Sequence, residues 1–83
     1  MEIKLLELEG GAVSLEFDEA DQTSLSTAIR ERFGVIRIIE KAPLYDVIEF
    51  GGERFTYYHQ WDPCLISQSL AGAKMLREIK IDY

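Results

Sequence analysis

Tyr45-Asp46-Val47-Ile48-Glu49-Phe50-Gly51-Gly52-Glu53-Arg54-Phe55-Thr56-Tyr57-Tyr58 decides the fold. Two runs rich in aromatic and β-branched residues flank a diglycine. Glycine alone takes the positive φ angles of a tight two-residue hairpin turn without steric cost. With Gly51 and Gly52 as the turn, Phe50 lies opposite Glu53, Ile48 opposite Phe55 and Asp46 opposite Tyr57. The alternate positions pair Glu49 with Arg54, Val47 with Thr56 and Tyr45 with Tyr58, a polar and aromatic ladder that suits an outward face. Continuing the alternation, Phe55, Tyr57, His59 and Trp61 share the side of Ile48 and Phe50. That side is read as core, and the same four residues are where an aromatic ligand pocket would lie.

Working outward, residues 2–8 and 12–17 repeat the pattern around Gly10-Gly11. Treated as a second two-residue turn, this diglycine sets Leu8 opposite Val13, Leu6 opposite Leu15 and Lys4 opposite Phe17 on an inner face. The outer face then collects Glu7, Glu9, Glu16 and Asp18, with Ile3 and Leu5 among them. Between the hairpins, Leu25, Ala28, Ile29 and Phe33 recur at helical spacing from Gln22 to Phe33, and Gly34 suits the C-terminal cap. Acids at Asp18, Glu19 and Asp21 precede this helix, where they complement the positive end of its dipole and are placed to cap it.

The run Val35-Ile36-Arg37-Ile38-Ile39-Glu40 reads as a strand buried in the middle of a sheet. Asp62-Pro63 stops the second hairpin, and Cys64-Leu65-Ile66-Ser67 reads as a last short strand or bridge. Ser67 or Ser69 opens a final helix with Leu70, Ala73, Leu76 and Ile79 on its apolar stripe. Its last five residues alternate like a strand as well. The order ββαβββα implies an α+β two-layer sandwich: a mostly antiparallel sheet with two helices on one face and the other face open.

A chain of 83 residues is sized for one domain, spanning 1–83. The formal charge of −6 comes entirely from the first 21 residues, where seven acids meet only Lys4. Such a balance disfavours nucleic acid, whose binding draws on lysine and arginine, and favours a basic protein partner or none. No apolar stretch approaches the ~20 residues that span a bilayer, so no membrane role is expected. One cysteine and no export signal point to the cytoplasm.

His59, Asp62 and Cys64 fall close together and invite a cysteine-nucleophile reading, but strand geometry and Pro63 set them in different directions. One His and one Cys do not make a zinc site, and no calcium loop or phosphate-binding glycine motif occurs. No metal and no cofactor are expected. The leading expectation is a non-enzymatic protein-interaction module, either regulatory, inhibitor- or immunity-like, or homodimerising. Its contact residues would be Glu7, Glu9, Glu16 and Asp18, or Tyr45 and Tyr58. A small-molecule sensor built on Phe55, Tyr57, His59 and Trp61 is the alternative. A cysteine-based enzyme ranks last.

Overall fold

In the computed structural model, which describes residues 3–59 and 63–82, six strands form one antiparallel sheet in the order β1-β2-β6-β5-β4-β3. The strands are β1 (Ile3–Glu7), β2 (Val13–Phe17), β3 (Arg37–Lys41), β4 (Tyr45–Phe50), β5 (Glu53–Tyr58) and β6 (Cys64–Ser67). Helices α1 (Gln22–Phe33) and α2 (Leu70–Asp82) pack on one side, giving the α+β sandwich that the element order implies.

The second hairpin has the expected register at every pair, from Phe50 opposite Glu53 to Tyr45 opposite Tyr58. Gly51 and Gly52 take φ of 60° and 81°, the positive values a two-residue turn needs. The short segment Cys64–Ser67 proves to be the strand that joins the two halves. It lies between β2 and β5, pairing Leu65 with Leu15 on one side and with Tyr57 on the other. Without it the sheet would fall into a two-stranded hairpin, β1-β2, and a separate three-stranded unit, β5-β4-β3.

The first hairpin differs from expectation by one residue. Its loop is Glu9-Gly10-Gly11, a 3-10 turn closed by the Leu8 N–H donating to the Ala12 carbonyl at 2.8 Å. A three-residue loop shifts the pairing to Ile3 opposite Phe17, Leu5 opposite Leu15 and Glu7 opposite Val13. Because side chains alternate, that shift turns β1 over. Ile3 is buried and Leu5 packs on the core, while Leu6 and Leu8 remain 43% and 42% exposed.

Two further expectations are corrected. The strand read as central, β3, is an edge strand with all five residues exposed and a bulge between Ile38 and Glu40. Its charges at Arg37, Glu40 and Lys41 are what an edge carries to discourage pairing with other chains. Leu70 lies off the apolar stripe of α2, which is formed by Ala73, Leu76 and Ile79, all nearly inaccessible to solvent. The helix continues to Asp82, so the strand-like alternation at the C-terminus is not used.

The core fills the space between the helices and the sheet. Phe50 and Phe55 stack with centroids 4.1 Å apart, and Phe33 of α1 leans on Phe50 at 5.7 Å. Leu25 and Ile29 descend from α1 toward β4 and β5, while α2 covers β1, β2, β5 and β6. Ser69 caps α2: its Oγ accepts the Gly72 N–H at 2.9 Å and donates to Glu53 Oε1 at 2.8 Å. Helix α1 has no such cap. Neither Asp18 nor Asp21 makes a side-chain capping bond, so these acids act on the helix only through its dipole.

Candidate functional site

The four acids expected on one surface do not share one. Glu16 stands on the uncovered side of the sheet, opposite Lys4. Glu7, turned over with β1, reaches the helix side, where its Oε1 accepts from Arg77 of α2 at 2.9 Å. Glu9 lies in the hairpin loop and Asp18 at the far end of β2. A five-residue strand separates those two by about 17 Å, well beyond the ~8 Å Debye length of physiological salt. The carboxylates therefore present no single charged patch to a partner.

The uncovered face forms a better-defined surface. Across its middle run Leu6, Ser14, Ile66, Thr56 and Val47, one from each of five adjacent strands. Beside that row lie Lys4, Glu16, Cys64, Tyr58 and Tyr45. The Tyr45 and Tyr58 rings meet at 5.7 Å, placing both expected contact tyrosines on this face, with Tyr58 38% exposed. At the opposite margin Glu49 sits between Arg37 and Arg54, 3.9 Å from each. Among the described residues, the strands turn Lys4, Arg37 and Arg54 and Glu16, Glu40 and Glu49 to this face, three charges of each sign, and Glu53 adjoins them at the rim of a depression. This broad open depression, lined by Val47, Glu49, Glu53, Arg54, Thr56, Ile66 and Gln68, lies toward that margin.

The residues read as an aromatic pocket separate. Phe55 is core, 1% exposed against Phe50. Trp61 lies outside the described residues, as does Asp62. Tyr57 lines a cavity of about 200 Å³ between α1 and the sheet, walled by Phe17, Leu25, Ile29, Ile36, Ile38, Ile48 and Leu65, with Gln22, Ser26, Arg30 and Asp46 supplying polar groups. Burial, reinforced by the nearby carboxylates of Asp46 and Glu19, pushes the Tyr57 phenol above its ordinary value, so its hydroxyl stays a donor. His59 stands at the edge of this region, its ring against Tyr57 and its Nε2 3.8 Å from Asp46 Oδ1.

His59 therefore faces a helix-side carboxylate, whereas Cys64 occupies the open face opposite Tyr58. The sheet separates the imidazole from the thiol. Among the described residues no group of three His, Cys, Asp or Glu side chains converges on a metal position, and no helix is long and apolar enough to cross a membrane. The cavity wall from α1 and the bridging role of β6 escaped sequence reasoning. The signal for the wall was Leu25 and Ile29 lying one helical turn apart over β-branched strand residues. No family model, curated protein or solved structure matches the chain.

Proposed function

We propose that this chain is a non-enzymatic protein-interaction module that docks through the uncovered face of its sheet, and that the partner is a second copy of itself. The observation that carries this reading is the electrical balance of that face. The molecule bears a formal charge of −6, yet among the described residues the six ionic side chains that the strands turn to this face cancel, with Glu53 alone beside them at its rim. A basic partner would be drawn to the acids elsewhere. An identical acidic chain is repelled everywhere except at a neutral surface, and there its own Ile66, Val47, Leu6 and Tyr58 supply apolar contact.

The dimensions set the strength. Six strands spaced about 4.8 Å apart and about 17 Å long give roughly 400 Å² per copy in projection, so on the order of 1,000 Å² is buried in all. That is the lower end of specific interfaces, and it fits reversible association at micromolar or higher concentration. Sedimentation across a concentration series tests the reading. The wild type should self-associate with little response to added salt, and Ile66→Lys, with a charge at the centre of the face, should stay monomeric. A wild type that remains monomeric at millimolar concentration refutes self-docking. Association that collapses with salt would instead point to the acids and a basic partner.

A further inference from the structure

The cavity beneath α1 is independent of the open sheet face and combines two kinds of lining. Its walls are aliphatic and aromatic: Phe17, Leu25, Ile29, Ile48 and Leu65. Its polar margin carries one carboxylate, Asp46 on β4, and one guanidinium, Arg30 on α1. Among the described residues no ion pair joins these two, although both line the same space. The Asp46 side chain is only 18% exposed; His59 Nε2 lies 3.8 Å from it, a counter-ion only when the imidazole is protonated, and Lys41 stands opposite it on β3. A largely buried carboxylate and an exposed guanidinium lining the same apolar hollow leave one acceptor and one donor fork for opposite charges on a single guest.

We propose that this cavity binds a free apolar α-amino acid of about leucine's size, its ammonium on Asp46, its carboxylate on Arg30 and its side chain among Phe17, Leu25, Ile29 and Leu65. The volume fits: about 200 Å³ corresponds to roughly seven waters' share of liquid, and an engineered cavity of about 150 Å³ in another protein admits benzene. The Tyr57 hydroxyl, on the same wall as Asp46, is a second group for the guest's polar end. A purely apolar guest would leave Asp46 without a new partner. A fatty acid would place its carboxylate on Arg30 and leave Asp46 without a partner, and a simple amine would leave Arg30 unused.

Thermal unfolding in the presence of L-leucine, 4-methylpentanoate, 3-methylbutylamine or glycine, each at about 20 mM, tests the assignment through the stabilisation that binding to the native state confers. Leucine should raise the melting temperature most, with each analogue that lacks one charge binding about tenfold more weakly or worse. Asp46→Asn should abolish the preference for leucine over 4-methylpentanoate, and Arg30→Gln, at an exposed helix position, the preference over 3-methylbutylamine. The proposal is overturned by no shift with leucine, by equal shifts with all four compounds, or by variants that keep the wild-type preference.

Discussion

Replacing Gly72 with alanine sets two physical arguments against each other. By helix propensity alone, Gly72→Ala in α2 should stabilise the protein by up to about 1 kcal/mol. The packing around Gly72 predicts the reverse. An added Cβ would overlap Ser67 Oγ outright, lie 2.8 Å from Ser69 Oγ and come within 3.1 Å of Ser67 Cβ. Ser67 is fully buried on β6, and its Oγ is tied to Ser69, accepting that residue's N–H and lying within hydrogen-bond reach of its carbonyl. Moving it aside loosens the link between the central strand and the helix cap. Overpacking of this kind costs about 1–3 kcal/mol, and weakening the Ser69 cap adds about 0.5–2. Net of propensity, the loss should be about 0.5–4 kcal/mol. Urea unfolding should show it as a lower midpoint with an unchanged slope, and heating as a melting temperature lower by about 2–30 °C. Ser67→Ala removes the obstructing oxygen, so Gly72→Ala should cost at least about 1 kcal/mol less in that background. If Gly72→Ala proves neutral or stabilising, or if Ser67→Ala brings no relief, the proposed close packing of α2 on β6 is wrong.

Two other outcomes follow from the charges. Glu7→Gln removes the ion pair with Arg77, but the Glu7 side chain is 73% exposed. Chemical denaturation should therefore register a change below about 0.5 kcal/mol, and a loss above about 1.5 would mean that the pair anchors α2. For Tyr57, whose ionisation is pushed above the ordinary 10.0 by burial and then by Asp46 and Glu19, the native state holds the phenolic proton more tightly than the unfolded chain. The stability this contributes is fully present below pH 10.0 and is lost as pH rises through the native value. The tyrosinate absorbance difference between wild type and Tyr57→Phe should accordingly titrate above 10.0, and a component at or below it would contradict the burial of that ring.

How far the sequence reveals the fold depends on how unequal the two faces of each strand are. In β4 and β5 the contrast is sharp: Ile48, Phe50 and Phe55 on one side, Glu49, Arg54 and Thr56 on the other, joined by a diglycine in a two-residue turn. That hairpin could be read to the residue. In β1 the contrast is absent, because Ile3, Leu5 and Glu7 on one side match Lys4, Leu6 and Leu8 on the other in apolar content. Nothing local chose between them, and a loop longer by one residue decided the matter through Leu15 and Val13 on β2. The edge position of β3 was hidden for a related reason. Ile38 and Ile39 look like core residues, and only the competition of β6 for the centre of the sheet leaves them at its margin. The outward placement of Tyr45 and Tyr58 was legible because it follows from the secure register. The cavity was not, since it arises where α1 meets residues from five strands, β2 to β6, spread from Phe17 to Leu65.

The edges of the sheet bear on what the open face can do. At one edge β3 carries Arg37, Glu40 and Lys41 together with a bulge, and at the other β1 carries Lys4 and Glu7 on a strand of only five residues. Charges, irregular pairing and short length all oppose addition of another strand, so copies of this chain are held back from extending one another's sheets indefinitely. Face-to-face association has no such barrier at Ile66, Thr56 and Val47, where the charges have been moved to the margins and balanced. A two-fold pairing through that face consumes it on both partners and leaves no surface for a third. The same sequence that discourages open-ended growth thus permits a closed pair, and Ile66→Lys acts on the closed pair alone because it leaves both edges unaltered.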